Sequence, residues 1–132
     1  MLRHATYPQA NPTMYPARNH QLFFTQAGVA ALEERPIPTP KPHEVLIRTR
    51  TSLVSPGTER AFFLGLPNTT QNYPQAAGYC NVGEVVAMGD QVQGFKIGDR
   101  VASKGNHAAY FALDAAVGEA GLGPQAGRRP RR

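Results

Sequence analysis

The side chains best suited to metal binding, general-base or nucleophilic chemistry are scattered along this sequence. His43 and His107 stand far apart, and Cys80 is the one cysteine. A zinc site or a nucleophile–base pair needs several such groups in a recognisable arrangement. The sequence therefore predicts that both histidines are surface or strand-edge residues, and that Cys80 is a small buried hydrophobic residue.

A denser group of hydroxyl and carboxylate side chains lies at residues 55–59, in the run Ser-Pro-Gly-Thr-Glu. Two interpretations are open. As local structure, the first three residues form a turn, Thr58 is the N-cap of a short helix over Glu59–Leu64, and Glu59 complements the helix dipole. As a functional element, the same side chains would line a substrate cleft.

The elements that must position these residues are mainly strands. Residues 43–54 alternate with a period of two, which predicts a strand whose buried face carries Val45, Ile47, Thr49, Thr51 and Leu53. Further strands are predicted over 21–25, 29–34, 78–88, 100–102 and 106–113. The 13 glycines and 12 prolines also favour a turn-rich β architecture over a helical bundle.

Length and composition describe one ordered domain. The chain has 132 residues, of which 41% are hydrophobic and 17% charged, so it is not disordered in composition. A single cysteine excludes an internal disulfide framework and fits a reducing compartment. The sequence shows neither a signal-peptide pattern nor an apolar run long enough to span a membrane, which predicts a cytoplasmic location and no membrane partner.

The two ends differ in character from the middle. Residues 1–18 hold three prolines and little apolar periodicity, which predicts a flexible arm before a domain at 19–114. Residues 115–132 predict a disordered basic tail, with four arginines among the last five residues. The tail contributes much of the net charge of +5, but no aromatic residue interleaves with its arginines, so a nucleic-acid partner is not expected.

One run of the sequence carries a specific pattern. Residues 83–101 read Gly-Glu-Val-Val-Ala-Met-Gly-Asp-Gln-Val-Gln-Gly-Phe-Lys-Ile-Gly-Asp-Arg-Val, preceded by an entry strand within 38–54 and followed by His-Ala-Ala-Tyr at 107–110. Together these segments resemble the N-terminal domain of the medium-chain dehydrogenase/reductase superfamily, over roughly residues 20–114. The resemblance implies a mainly β, GroES-like partly open barrel with one or two short helices.

The same resemblance suggests where a site would be. Zinc-dependent members place a cysteine where this chain has Ser55 and a His-Glu pair where it has Tyr79 and Cys80, so no zinc and no metal ligand is expected. The run at 55–59 resembles a zinc-free branch, in which it lies near the substrate cleft and the nicotinamide. By that match Ser55, Thr58 and Glu59 are candidate substrate-cleft residues, and Tyr79 and Asn81 are secondary ones. Taken alone, Tyr79 is predicted to be a half-buried aromatic residue with a hydrated hydroxyl.

NAD or NADP is implied by the resemblance only. The family's cofactor lies on a following Rossmann domain, and the Gly-Glu-Ala-Gly-Leu-Gly run at 118–123 has the wrong spacing for it, so no cofactor-binding residue is assigned. The expected function is that of a substrate-domain fragment of an NAD(P)-dependent oxidoreductase, truncated before its Rossmann domain and inactive without it. Its partner would be a Rossmann-domain chain or a second copy of itself. The alternative is a GroES-like binding or oligomerisation module with no catalytic activity.

Overall fold

The computed structural model describes residues 18–115 and 123–124. It contains one helix and two antiparallel sheets, which do not close into a barrel within these residues. The elements are β1 (Asn19–Gln26), β2 (Val29–Arg35), β3 (Glu44–Ser52), α1 (Pro56–Leu64), β4 (Gln75–Ala76), β5 (Asn81–Met88), β6 (Arg100–Ser103), β7 (Tyr110–Asp114) and β8 (Gly123–Pro124). A mainly β, partly open GroES-like fold is therefore confirmed.

The smaller sheet has the strand order β2-β1-β4. Its hairpin turns at Gly28, whose φ of 77° lies in the left-handed region that glycine tolerates best. The register then places Leu22 opposite Leu32. Helix α1 packs against this hairpin through an edge-to-face contact between the rings of Phe24 and Phe63, whose centroids are 5.4 Å apart.

The larger sheet has the order β7-β3-β5-β6-β8, with β3 paired to both β5 and β7. The main hydrophobic core lies on it and consists of Val45, Ile47, Val85, Val101 and Phe111. The turn before β6 is held by the carboxylate of Asp99, which accepts a hydrogen bond from the Lys96 N–H at 3.0 Å. This is the role expected of an aspartate in a tight turn.

The strand β3 departs from its predicted pattern. The prediction of one buried face is wrong, since Leu46 (3% exposed) and Arg48 (8%) are buried, whereas Thr51 is exposed. Two register irregularities between β3 and β5 disturb the alternation. Leu53 lies beyond the end of the strand, on what was predicted to be the buried face, and is 65% exposed.

The strand predicted over 106–113 begins later, at Tyr110. The residues before it form a loop that joins the two sheets. The N–H of Leu22 donates to the carbonyl of His107, and the N–H of Ala109 donates to the carbonyl of His20, both at 2.9 Å. The backbone of residues 107–109 is hydrogen-bonded to β1, and strand β7 therefore begins only at Tyr110.

The predicted flexible arm at 1–18 and basic tail at 115–132 lie almost wholly outside the described residues. Within residues 18–115 and 123–124, no helix has the length and apolar character needed to cross a membrane.

Candidate active site

The run at 55–59 forms the beginning of α1. Ser55 is the N-cap, with extended backbone angles of φ −95° and ψ 97°, and Pro56 follows at the first helical position. The prediction that Thr58 is the N-cap is therefore wrong. Proline has no N–H and a fixed φ, so it starts the helix three residues earlier, and Thr58 becomes an exposed residue of the first turn.

The cap itself is made by Glu59. Its Oε1 accepts a hydrogen bond from the Ser55 N–H at 3.0 Å, whereas the Ser55 side chain makes no capping bond. A carboxylate that reaches back to the N-cap N–H satisfies one of the amide groups left open at a helix start. Glu59 is only 7% exposed, so its carboxylate is drawn into the protein rather than solvated.

The second oxygen of Glu59 meets a histidine. Its Oε2 lies 2.8 Å from Nε2 of His107, and the two side chains are 9% and 10% exposed. The prediction that His107 is a surface or strand-edge residue is wrong. It sits in the loop between β6 and β7, and the fold brings that loop against the first turn of α1.

The other ring nitrogen of His107 is also bonded. Nδ1 lies 2.8 Å from Oγ of Ser52, the last residue of β3. Ser52, His107 and Glu59 thus form a continuous hydrogen-bonded chain, called here the Ser52–His107–Glu59 chain. Ser52 and His107 were not predicted as site residues, because only the tertiary fold brings them next to Glu59. The sequence held no local signal for these contacts.

The imidazole is held in place on several sides. The backbone N–H of His107 donates to the carbonyl of Ala77 at 2.8 Å. Gly78, with φ 89°, packs so closely on the ring that a β-carbon there would lie 2.6 Å from its Cδ2 atom. The side-chain amide of Asn106 donates to the Gly78 carbonyl at 2.7 Å and fixes that loop. The ring is therefore restricted to one orientation.

Asn81 lies beside this arrangement. It is opposite Ser52 in the β3–β5 register and is 1% exposed. Its Nδ2 donates to Oγ1 of Thr49 at 2.9 Å and to the carbonyl of Asn106 at 3.1 Å. Its Oδ1 is buried and finds no hydrogen-bond partner among the described residues. These contacts tie the ends of β3 and β5 to the loop that carries His107.

The remaining candidate residues are more exposed than Glu59 and Asn81. Ser55 is partly buried, Thr58 is exposed, and Tyr79 is 41% exposed. Cys80 is partly buried, and its carbonyl accepts a hydrogen bond from the Leu53 N–H at 3.0 Å. The structure places Glu59 and Ser55 in direct contact and leaves Thr58 and Tyr79 at the surface.

A second charged cluster lies on the larger sheet. Glu84 accepts hydrogen bonds from Arg48 and Arg50, both at 3.0 Å. Desolvation would raise the pKa of Glu84, but the hydrogen bonds and positive charges of the two arginines outweigh it and hold that pKa below its usual value. This cluster shares no residue with the Ser52–His107–Glu59 chain.

The described residues fit neither a metal nor a dinucleotide. In this part of the chain, no group of three or more His, Cys, Asp or Glu side chains is placed to hold a metal ion. All strand pairs described are antiparallel, so these residues do not build the parallel β-α-β unit on which a dinucleotide is held. What they build is a buried acid–histidine–hydroxyl arrangement.

The chain belongs to the family of alcohol dehydrogenase GroES-like domains, whose model matches residues 41–125. It is thereby the N-terminal part of a medium-chain dehydrogenase/reductase fold, as the sequence resemblance predicted. An L-threonine 3-dehydrogenase of Deinococcus radiodurans is 37% identical over 75 residues, which is 55% of this chain. A sorbitol dehydrogenase of Halalkalibacterium halodurans is 37% identical over 89 residues, or 63% of this chain.

Solved structures agree with the fold. A quinone oxidoreductase of Pseudomonas syringae superimposes with a TM-score of 0.68 and 25% identity, covering 84% of this chain and 34% of that one. An alcohol dehydrogenase superfamily protein of Novosphingobium aromaticivorans gives a TM-score of 0.66 and 27% identity, covering 74% and 32%. The match spans only 21% of the Deinococcus relative and 24% of the Halalkalibacterium relative.

Proposed function

We propose that this chain is the substrate domain of an NAD(P)-dependent oxidoreductase that interconverts a secondary alcohol and its carbonyl compound. The observation that carries the proposal is the Ser52–His107–Glu59 chain, a buried arrangement of groups that can exchange a proton at the end of β3. Oxidising an alcohol to a carbonyl compound removes the hydroxyl proton as well as a hydride from the carbon. The names of the two dehydrogenase relatives, for threonine and sorbitol, support an alcohol as substrate.

In this proposal the beginning of α1 lies at the cleft. Ser55, Thr58 and Glu59 are the proposed cleft residues, with Glu59 holding His107 from the buried side. Tyr79 is proposed to contact the substrate from the rim, which its 41% exposure permits. Asn81 would act by holding the neighbouring loop, because its amide is committed to Thr49 and Asn106.

The cofactor would come from outside the described residues. NAD or NADP is proposed to bind a Rossmann-type domain, on a partner chain or another part of the polypeptide, and when bound it would supply the hydride acceptor. The chain alone would then be inactive. A zinc-free mechanism is proposed because Ser55 and Tyr79 stand where zinc-dependent members of the superfamily carry ligands. A cytoplasmic location remains a prediction.

The test begins with calorimetric titration of NADH and NADPH into the purified chain. The same titration follows with any dinucleotide-binding polypeptide encoded beside it, and the assembly is then assayed with L-threonine and D-sorbitol. We expect no binding to the chain alone, binding to the assembly, alcohol-dependent reduction of the cofactor, and no stoichiometric zinc. Micromolar binding of NADH or NADPH to the chain alone would contradict the proposal that a separate Rossmann-type domain binds the cofactor. A stable homo-oligomer that binds no cofactor in any combination would support the non-catalytic module instead.

A further inference from the structure

The direction of the hydrogen bonds in the Ser52–His107–Glu59 chain follows from the chemistry of its groups. An ionised Glu59 can only accept, so the hydrogen between Oε2 and Nε2 belongs to His107. When the imidazole is neutral, its Nδ1 is therefore a lone-pair acceptor, and the hydroxyl of Ser52 donates to it. The fold thus selects one tautomer of the neutral ring.

A second protonation state fits the same atomic positions. If Nδ1 gains a proton, it donates to Oγ of Ser52, and the serine hydrogen turns away from the ring. Glu59 then faces an imidazolium, which its carboxylate stabilises at 2.8 Å. Both states keep every hydrogen bond of the chain, so a proton can be taken up or released without moving a heavy atom.

The two ends of the chain differ in access to ligands. Glu59 is 7% exposed and bonded at both oxygens, so its end is closed. Ser52 is the last residue of β3 and is partly exposed. Leu53 and Val54 follow it directly and are 65% and 60% exposed, which places apolar surface beside the one hydroxyl that the imidazole polarises. Apolar surface around a few oriented polar groups is typical of small-molecule sites.

We propose that Ser52 is the catalytic residue of this domain and exchanges the proton of the substrate's hydroxyl group with His107, while Glu59 is a positioning residue. The inference rests on the proposed oxidoreductase function. In the oxidising direction the O–H bond of the alcohol breaks and its proton passes to Oγ of Ser52, whose own proton moves to Nδ1 of His107. A nicotinamide dinucleotide, when bound, would accept the hydride from the carbon, which leaves a carbonyl compound. Carbonyl reduction reverses these transfers.

A purely structural role would leave the chemistry of the substrate unaffected. In that case the three residues would serve only to fasten α1 and the β6–β7 loop to the end of β3. Thr51 offers a matched control, because it is an exposed hydroxyl residue next to Ser52 in the same strand. Ser52→Thr provides a second comparison, since it keeps a hydroxyl at the proposed position.

The first measurement uses the full chain alone. Nitrogen-15 spectra of the histidine rings at neutral pH should show His107 with its hydrogen on Nε2, and Glu59→Gln should remove that preference because an amide can donate as well as accept. A neutral His107 that carries its hydrogen on Nδ1 would overturn the proposal, since such a ring cannot take the proton of Ser52.

The second measurement uses the assembly described above, with D-sorbitol or L-threonine as the probe. Ser52→Ala should lower kcat at least about 100-fold, the lower end of what general acid–base catalysis contributes, and leave KM nearly unchanged. Ser52→Thr and Thr51→Ala should retain most of the activity, and the solvent deuterium effect on kcat should be lost only in Ser52→Ala. Amide spectra check that each variant is folded.

The outcomes separate the two proposals. An active wild-type assembly in which Ser52→Ala behaves like Thr51→Ala overturns the role of Ser52 and leaves the oxidoreductase function standing. A wild-type assembly that binds the dinucleotide but oxidises neither probe counts against the proposed function itself. That result would also overturn the proposed proton-exchange role of Ser52.

Discussion

Glu59 uses both of its carboxylate oxygens, one on the Ser55 N–H and one on the His107 ring. This connects the beginning of α1, the β6–β7 loop and, through the imidazole, the end of β3. At 7% exposure the carboxylate cannot replace these partners with water. A single residue therefore fixes the relative positions of three segments far apart in the sequence.

Replacing Glu59 with alanine should consequently destabilise the fold. Two buried or part-buried donors would lose their acceptor, and each loss costs about 1–3 kcal/mol. We expect the free energy of unfolding, measured by urea denaturation, to fall by at least about 2 kcal/mol. Glu34→Ala is the control, because Glu34 is 52% exposed in its ion pair with Arg18 and should change stability by less than about 0.5 kcal/mol. Equal effects of the two substitutions would refute this account of Glu59.

Glu84 gives a prediction that depends on pH. Burial acts to raise its pKa, but the arginines on β3 lower it further, so the folded protein holds the ionised form more strongly than the unfolded chain does. A carboxylate with a lowered pKa stabilises the fold at neutral pH and ceases to do so as pH falls through the folded-state pKa.

Glu84→Gln should therefore be less stable than the wild type at pH 7, by about 1 kcal/mol, and should approach it in acid as the wild-type carboxylate is protonated. Urea unfolding of both proteins across the acidic range measures the difference. Added salt at pH 7 should also reduce the gap, because Arg50 is exposed. A gap that stays constant with pH would show that the carboxylate charge is not its source.

At the scale of elements, the sequence predicted what local pattern controls. The strands β1, β2 and β3 could be predicted, because residue composition and period are local properties. The helix start was displaced by three residues because Pro56 outweighed the capping preference of Thr58. The place of His107 could not be predicted, since hydrogen bonds between the two sheets determine the path of its loop.

Gly78 shows how tightly that loop is fitted. Its φ of 89° is strained for any other residue, and a β-carbon there would meet the His107 ring at 2.6 Å. Gly28 has a similar φ of 77°, but nothing lies within 4 Å of the position of its β-carbon. The two positions therefore separate the cost of backbone strain from the cost of contact with the imidazole.

Gly28→Ala should cost only the strain of a left-handed alanine, about 1–2 kcal/mol. Gly78→Ala should cost that amount plus the displacement of the imidazole, for a total loss of more than about 3 kcal/mol. Urea denaturation measures the two losses, and the ring resonances of His107 should shift only in Gly78→Ala. Indistinguishable stabilities and unshifted resonances would contradict the packing described.

For the whole molecule, the coupling between the two sheets determines whether the site forms at all. Ser52 belongs to the larger sheet, and the loop that carries His107 is bonded to β1 of the smaller one. Asn19 adds a direct link, because its Oδ1 accepts the Tyr110 N–H at 2.9 Å and its Nδ2 donates to the Pro36 carbonyl at 3.4 Å. The sheets should therefore unfold as one cooperative unit.

Asn19→Ala tests this coupling without touching the site. Asn19 is 2% exposed, and its replacement removes the buried amide oxygen to which the Tyr110 N–H donates, which should cost about 1–3 kcal/mol. The exposed Asn72→Ala is the matched control and should be nearly neutral. Amide hydrogen exchange in β1 and in β3 should then accelerate together in Asn19→Ala, because opening one sheet releases the loop that holds the other. Faster exchange confined to β1 would show that the larger sheet, with Ser52, is stable by itself, and that the smaller sheet serves only to position His107.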